Sequence, residues 1–599
     1  MLDLERDLAA HSRRDDRSAT RAGRWALIAA IVAVVGLMST QPPRFYMSPF
    51  RESQTAISVR SMRQEGGGPA TYATPIFGRP WEIPLEWGSF QWLVTKIPAG
   101  LSSEDGAGKG ISVVFYFLCP LAIWALCREI GLPRGLSIWS AGLWALAPVY
   151  LAYSTAYMIE SFALFLALAH IWLGLRWVRS ASLWSGGGCL VAGILAAMTK
   201  GTTWAPAACF LAGGMLLDPK WSRRVSSPVP SRTIRIAWVA VCLLISFAAG
   251  IIWVRYSDLI KARNPLAIGL TSRNLSSWVY GTWEQKLSPQ VWSVILVKEA
   301  LLSLGPLGLI LPFAVFLPLV RKTHPVLLVG RGIALSLGAF LVAPAVFTNL
   351  HYRHQYYVYA NGVYLVIAAA LYLNSIRSHR SLVFLLYALP VSAVVTSFSF
   401  IHLQRSIRNG VDEHIITTLA KLAPNQCVVF CGFDWSAYTP YYAHQRALFV
   451  PLELSQDLIA TVLEKNRGVD MGAVVWMGDE TQRSSEIFRS QLLQSPSPPR
   501  EIWPHVWISL PAAERAALGT DFKADNTTKR LIEIQAEIPP REKRADGIVY
   551  HSVQIANLWR RSASILRCGV KRGNELFFFD SSEGILWRFS GYFESNGPA

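Results

Sequence analysis

The stretch 48-SPFRESQTAISVRSMRQEGG-67 follows closely on an apolar run, 25-WALIAAIVAVVGLM-38. Ser48 is suited to cap a helix, Pro49 suits the first helical position, and the glycines at its end would stop the helix. The pattern predicts a polar helix over 49–65. Because the apolar run before it belongs to a predicted membrane span over 24–40, we expect this helix to lie along the outer membrane surface.

The composition is that of a multi-pass membrane protein. Of 599 residues, 52% are hydrophobic and only 16% are charged, whereas a soluble chain carries roughly a quarter charged residues. The 23 Trp and 20 Tyr suit membrane–water interfaces. The net charge of +18 does not indicate nucleic-acid binding, because the basic residues lie in short loops between apolar segments, as the positive-inside rule requires.

The apolar runs predict about eleven transmembrane helices, since each needs about 20 mainly apolar residues. They lie near 24–40, 111–127, 136–152, 158–177, 182–198, 201–217, 234–254, 297–320, 325–347, 358–375 and 381–400.

A basic leader, residues 1–23, places the N-terminus in the cytoplasm. Every loop that then falls inside is basic, with Arg128 and Arg134, Arg176 and Arg179, Lys220 to Arg235, Arg321 and Lys322, and Arg377 and Arg380. The stretches expected outside are 41–110, 153–157, 255–296, 348–357 and the last 200 residues. We therefore expect an integral protein of the bacterial inner membrane.

The part from 401 to 599 is expected to be a soluble extracytoplasmic α/β domain. The strand-like runs 427-CVVFCGFDW-435, 446-RALFVP-451 and 472-GAVVWMG-478 are separated by helix-like stretches such as 455–468, and alternation of this kind predicts an α/β sheet. Residues 564–591 are expected to add β structure.

Two acids and a lysine are candidate functional residues on the outer face. Glu52 falls in the first turn of the predicted helix, where the helix dipole alone would favour a carboxylate. Glu160 lies at the mouth of a membrane helix, and ionisable groups at membrane depth are costly and usually functional. Lys200 lies between two apolar runs, where snorkelling of its ammonium is the alternative interpretation.

A fourth region, 349-NLHYRHQYYVYANG-362, concentrates basic and aromatic residues in one short outer loop. An aromatic belt with basic anchors is its structural interpretation, but two histidines and an arginine among four tyrosines exceed what a belt needs. Cations can bind a phosphate, aromatic faces suit a sugar ring, and a carboxylate can act as general base on a hydroxyl. The four regions together indicate transfer of a sugar from a lipid phosphate to an outer acceptor.

The chain resembles the C superfamily of membrane glycosyltransferases, and in particular bacterial members of the dolichyl-phosphate-mannose protein mannosyltransferase group (glycosyltransferase family 39) and the lipid A aminoarabinose transferases. The order and sidedness of five stretches over about residues 20–400 carry the resemblance: 51-RESQTA-56, 81-WEIPLEWGSFQWL-93, 157-YMIESFALFLALA-169, 199-TKGTTWAP-206 and 352-YRHQYYVYANG-362.

The resemblance implies a mainly α, GT-C-like fold and a role for each matching residue. Glu52 takes the position of the catalytic base and Glu160 that of a second catalytic acid. The substrate-binding positions are Arg51, Glu82, Glu86, Lys200, Arg353, His354, Tyr356 and Tyr357, of which Lys200, Arg353 and His354 would hold the lipid phosphate. The family usually has Asp where this chain has Glu52, which moves the carboxyl outward by one methylene. No metal site is predicted, although some members bind a divalent cation.

Other functions stay open at this point. A transporter or flippase of lipid-linked or small polar substrates would need internal repeats and helices broken at the midplane, and the sequence shows no repeat. A polysaccharide polymerase or ligase would also use lipid-linked glycans, and a non-enzymatic scaffold would tolerate replacement of the carboxylates. The sequence leaves the sugar, the acceptor and the lipid chain length undetermined.

Overall fold

The protein is mainly helical, with a small mixed sheet near its C-terminus, in a computed structural model that describes residues 2–217, 231–310, 324–376, 379–406, 410–451, 453–478, 483–503, 505–512 and 514. The helices are α1 Leu2–Ser39, α2 Pro49–Glu65, α3 Ser89–Thr95, α4 Glu104–Glu129, α5 Arg134–Leu146, α6 Pro148–Tyr153, α7 Glu160–Ser180, α8 Leu183–Thr199, α9 Gly201–Leu217, α10 Arg232–Lys261, α11 Ser276–Tyr280, α12 Trp283–Leu287, α13 Pro289–Leu304, α14 His324–Val346, α15 Thr348–Arg353, α16 Gly362–Leu373, α17 His379–Ser406, α18 Gly410–Leu419, α19 Tyr438–Tyr442, α20 Gln456–Lys465 and α21 Arg483–Leu492. The strands are β1 Cys427–Cys431, β2 Arg446–Val450, β3 Met471–Met477, β4 Arg500–Trp503 and β5 Val506–Ser509.

The protein is an integral membrane protein with several candidate spans. Within the described residues, five helices are long and apolar enough to cross a membrane: Arg14–Ser39, Glu104–Glu129, Glu160–Ser180, Thr233–Lys261 and His379–Ser406. A sixth would be Ser276–Leu287 with Pro289–Leu304, which meet at a bend of 115°. Helix is present in all eleven predicted windows, and residues 311–320 of one window lie outside the described part.

Several predicted spans are shorter or more broken than the sequence indicated. The window 136–152 contains two helices, because Pro148 cannot donate a backbone hydrogen bond and starts α6 afresh. Residues 2–39 form one helix, so the basic leader and the first apolar run are continuous. The window 358–375 begins with a 3₁₀ turn, Tyr356–Ala360, before α16.

Small residues let α1 and α5 pack closely. Ala19, Ala22, Ala26 and Ala30 form a buried stripe on α1, and such stripes bring helix backbones together in membranes. At the crossing, a methyl group on Gly142 would lie 2.6 Å from the Gly23 carbonyl oxygen. The contact holds the first helix against the centre of the bundle.

The C-terminal sheet has the order β2-β1-β3-β5-β4. The first three strands are parallel and the last two pair antiparallel. All five residues of β1 are buried, as in the centre of a parallel sheet covered on both faces. The three predicted strands and the helix between the second and third are confirmed, whereas 564–591 lies outside the described residues.

The segment after α2 continues the sheet at its β2 edge. The Ala447 and Phe449 N–H groups donate to the Pro75 and Ile76 carbonyls at 2.9 and 3.0 Å, and the Gly78 N–H donates to Ala447 at 3.1 Å. This pairing covers an edge strand that would otherwise expose unpaired backbone groups. It also ties the predicted first outer loop, 41–110, to the sheet.

We predict that Gly142→Leu destabilises the protein. The new side chain would overlap the α1 backbone, and overpacking costs about 1–3 kcal/mol. Thermal unfolding in detergent should therefore begin several degrees lower than in the wild type, by the usual relation between free energy and melting temperature. Gly36→Leu is the matched control, because Gly36 lies on the exposed side of α1 with open space around it. Equal stability of the two variants would contradict the close packing of α1 on α5.

Candidate active site

Glu52 is held at the start of α2 by two backbone groups. Its Oε1 accepts from the Ser48 N–H and its Oε2 from the Tyr157 N–H, both at 3.0 Å. The helix over 49–65 is confirmed. Ser48 occupies its N-cap position, but the Ser48 side chain makes no capping hydrogen bond among the described residues. The Glu52 side chain instead folds back and accepts from the Ser48 N–H, one of the backbone groups that the start of a helix leaves unpaired.

Burial dominates the acidity of Glu52. The residue is 2% exposed, and burial raises the pKa of its carboxyl above the ordinary value, because charge is poorly solvated there. The hydrogen bonds from Ser48 and Tyr157 and the charge of Lys109 act in the opposite direction and offset only part of the rise. The carboxylate therefore has a raised basicity and two fixed hydrogen-bond donors.

Arg51, which precedes Glu52 on α2, contacts a different set of residues. Its Nη2 donates to Glu86 Oε2 at 2.7 Å and its Nη1 to Gln54 Oε1 at 2.9 Å. The other Glu86 oxygen accepts from Gln91 Nε2 at 2.7 Å. Glu86 is thus fixed from both sides and orients the guanidinium.

Lys200 and Glu160 form a buried ion pair between α7 and the junction of α8 with α9. Their side chains are 9% and 3% exposed. Burial lowers the pKa of Lys200, while the charge of Glu160 favours its charged form. The second carboxylate oxygen of Glu160, Oε1, is buried without a hydrogen-bond partner among the described residues, so it can accept a hydrogen bond from a water molecule or a bound group.

Two tyrosines of the 3₁₀ turn lie against the Lys200 ammonium. The nitrogen is 4.7 Å from the centre of the Tyr357 ring and 5.4 Å from that of Tyr356, in the range of cation–π attraction. The two rings are 4.7 Å apart. Arg51, Glu86 and Glu160 also lie within electrostatic range of Tyr357, so one cluster unites residues from five parts of the chain.

Tyr153 connects this cluster with Glu52. It is in electrostatic range of both Glu52 and Glu160, and its ring centre is 6.5 Å from that of Tyr356. The adjacent residues Arg51 and Glu52 therefore deliver a cation and a carboxylate to two sides of one buried aromatic region.

His354 stacks on Tyr356, with ring centres 5.3 Å apart, but it is not a cation. Its pKa is lowered to about 3, first by burial and then by the positive charges of Lys298, Arg51, Arg353 and Lys200. At neutral pH it can offer a hydrogen bond but no charge. Arg353 is half-buried beside it, with its guanidinium 5.6 Å from the Tyr352 ring centre.

Glu82 is not brought into the cluster. Its backbone pairs with Ala73 in a short bridge, and its side chain is exposed. The two acids of the 81–93 stretch thus separate, with Glu86 in the cluster and Glu82 outside it. Residues four apart share a face only in a regular strand, and residues 83–86, which include Pro84, form no strand here, so the two side chains can point to different sides.

A buried polar network that the sequence analysis missed supports the 351–361 segment. Lys298 donates to the carbonyls of His351 and Tyr352, the second at 3.1 Å. Glu299 Oε1 lies 2.5 Å from His351 Nδ1, and its Oε2 accepts from Asn361 Nδ2 at 2.8 Å. An adjacent Lys–Glu pair at the start of an apolar run was the available signal, because ionisable residues at such depth are rare.

No group of three or more His, Cys, Asp or Glu side chains in the described ranges is arranged to hold a metal ion.

The comparisons with known proteins identify the fold through structure and not through sequence. No family model and no curated protein matches the chain. The structure of ArnT from Cupriavidus metallidurans bound to undecaprenyl phosphate is similar, with a TM-score of 0.54 at 13% identity, over 83% of this chain and 99% of that chain.

Two further structures are similar at lower scores. They are archaeal oligosaccharyltransferase AglB from Archaeoglobus fulgidus in complex with an inhibitory peptide and a dolichol-phosphate, with a TM-score of 0.45 at 13% identity over 76% of this chain and 69% of that chain, and arabinofuranosyltransferase AftD from Mycobacteria, with a TM-score of 0.42 at 16% identity over 81% and 41%. The likeness to ArnT confirms the resemblance at the level of the fold: this integral membrane chain has a GT-C-like fold.

Proposed function

We propose that the protein is a glycosyltransferase that moves a sugar from a polyprenyl-phosphate donor to an acceptor outside the cytoplasm. The acceptor is a glycan, a lipid or a protein. The observation that carries the proposal is that the adjacent side chains of Arg51 and Glu52 point in different directions. They place a guanidinium paired with Glu86 and a basic carboxylate on two sides of one buried aromatic region. The GT-C-like fold, seen also in ArnT bound to undecaprenyl phosphate, supports the same proposal.

In this mechanism Glu52 is the general base. It accepts the proton of an acceptor hydroxyl while the hydroxyl oxygen forms a bond to the anomeric carbon. The bond between that carbon and the phosphate oxygen breaks, and its electron pair leaves with the polyprenyl phosphate. Because base and leaving group act from opposite faces of the sugar, the anomeric carbon is inverted.

Arg51 and Lys200 neutralise the departing phosphate. Each is paired with a carboxylate in the structure, Glu86 or Glu160, and an incoming phosphate would share or replace these contacts. An ammonium has three donors, so Lys200 can keep Glu160 and still bind phosphate. Arg353 adds charge, neutral His354 adds a hydrogen bond, and Tyr356 and Tyr357 lie against the sugar or the phosphate. Glu160 Oε1, which has no hydrogen-bond partner within the described part of the chain, accepts from a sugar hydroxyl.

The membrane topology predicted from the sequence is part of this proposal. The N-terminus is cytoplasmic, about eleven helices span the bacterial inner membrane, and the C-terminal sheet region lies outside. The contacts of residues 75–78 with β2 support a common side for the first loop and the sheet. A divalent cation has no part in the steps above.

We predict that Glu52→Gln lowers the release of polyprenyl phosphate from a donor by about 10²–10⁴-fold, the usual contribution of a general base. The assay supplies purified protein with polyprenyl-phosphate sugars and uses membrane extract as the source of acceptor. Glu82→Gln is the matched control and should keep wild-type release, because Glu82 is exposed outside the cluster. Wild-type release by Glu52→Gln would remove Glu52 from the role of base.

We also predict a bell-shaped dependence of kcat/KM on pH. The acid limb follows deprotonation of Glu52 and should lie above the ordinary carboxyl pKa, because burial raises the pKa of Glu52. The basic limb follows loss of charge on Lys200 and should lie below the ordinary lysine pKa, because burial lowers the pKa of Lys200.

Lys200→Arg tests the basic limb, since a guanidinium keeps its charge at high pH. The variant should retain activity to a higher pH than the wild type, whatever the loss in its maximal rate. A basic limb that stays in place in Lys200→Arg would show that another group sets it.

A further inference from the structure

We propose that helix α19 of the C-terminal sheet region is a positioning element for the Glu52 carboxylate, acting through Phe45 and Tyr157. The inference rests on the proposed role of Glu52 as base and assigns a function to the contact between the sheet region and the membrane helices. Tyr441 and Tyr442 are the positioning residues, and neither touches the reacting atoms.

The first link joins Glu52 to Tyr157. The Tyr157 N–H donates to Glu52 Oε2 at 3.0 Å, so the position of the Tyr157 backbone fixes one carboxylate oxygen. The Tyr157 side chain is fully buried. Its ring lies against Gly108 of α4 so closely that a methyl group at Gly108 would overlap it. Tyr157 thus has no room to shift toward α4.

The second link is Phe45, which lies on the other side of Tyr157. Its ring meets the Tyr157 ring edge-on, with centres 5.9 Å apart and planes at 89°. The same ring stacks on Tyr441, at 5.5 Å and 17°. The Phe45 N–H donates to the Tyr442 hydroxyl at 2.9 Å. Both tyrosines of α19 therefore hold Phe45 in place against Tyr157.

The third link fixes α19 to the membrane helices. The Tyr441 and Tyr442 hydroxyls both donate to the Asp105 carboxylate in the first turn of α4, the latter at 3.1 Å. Arg60 of α2 donates to the Tyr441 carbonyl at 2.6 Å and pairs with Glu104 at 2.8 Å. The helices that hold α19 are therefore the same ones that carry Gly108, on α4, and Glu52, on α2.

The arrangement has a measurable electrostatic consequence. A backbone N–H that donates to a carboxylate favours its charged form. Any loosening of the Tyr157 contact should therefore make Glu52 harder to ionise and move the acid limb of the rate profile to higher pH. The other charged or titratable groups that face Glu52 are Lys109 of α4, Tyr153 of α6, and Tyr438 and Tyr442 of α19.

The test compares pH profiles of kcat/KM for polyprenyl phosphate release in the full-length protein, because these report the pKa values of the free enzyme. The double variant Tyr441→Phe with Tyr442→Phe keeps both rings but removes the hydroxyls that bind Asp105 and the Phe45 N–H. We expect its acid limb to move up by roughly half a pH unit or more and its kcat at neutral pH to fall about threefold to tenfold, while KM for the donor changes less than about twofold. A shift of half a unit corresponds to a loss of the order of one hydrogen bond.

Tyr438→Phe is the matched control. It removes a hydroxyl from the same helix, but this hydroxyl binds Glu413 at 3.3 Å. Because burial raises the pKa of Tyr438 to about 12, the phenol is uncharged where the acid limb is measured, and its removal changes no charge that faces Glu52. Its profile should coincide with that of the wild type. Gly108→Ala approaches the same contact from α4 and should shift the acid limb in the same direction as the double variant.

An unchanged acid limb in the double variant, or an equal shift in Tyr438→Phe, overturns the inference. A fall in kcat without a shift overturns it as well, because general loss of structure would produce that result. Failure of the proposed function has a different signature: Glu52→Gln would then release polyprenyl phosphate at the wild-type rate. If Glu52→Gln is inactive and the double variant is normal, the base stands and only the positioning role is lost.

Discussion

The site depends on one carboxylate that two distant backbone segments hold in place. Glu52 accepts from Ser48 at the start of its own helix and from Tyr157 just before α7. The bond from Tyr157 ties the first loop to the bundle. Together the two bonds explain how a charge can be accommodated at 2% exposure, since a buried carboxylate is tolerated only where donors satisfy it. The position of Glu52 also determines the direction of Arg51, because adjacent residues of a helix point to different sides of it.

The surrounding charges carry a cost in stability that the proposed function would explain. Buried ion pairs such as Lys200–Glu160 and Arg51–Glu86 contribute little net stability, because desolvation offsets their attraction. In the proposed mechanism they keep the cations charged and oriented before a substrate binds, and preorganised charges of this kind account for much of enzymatic rate enhancement. The network of Lys298, Glu299, His351 and Asn361 extends this order to the segment that carries Tyr356 and Tyr357.

Local sequence patterns predicted the parts of the structure that local interactions determine. The helix over 49–65 was predictable from a proline at its start and glycines at its end, and β1 to β3 from short β-branched runs. The neutrality of His354 was not predictable, since it depends first on burial in the folded chain and then on four cations from three separate regions and its own segment. The separation of Glu82 from Glu86, the support from Lys298 and Glu299, and the docking of α19 on Asp105 also arise from tertiary contacts between distant residues.

The configuration of the transferred sugar tests the central claim most directly. Wild-type protein would receive a polyprenyl-phosphate sugar of known anomeric configuration and membrane extract as acceptor, and nuclear magnetic resonance would define the new glycosidic bond. With Glu52 as base opposite the leaving phosphate, the product should have the opposite anomeric configuration to the donor. Retention of configuration would contradict the account, because direct attack of the acceptor hydroxyl on the face opposite the leaving phosphate can only invert the anomeric carbon.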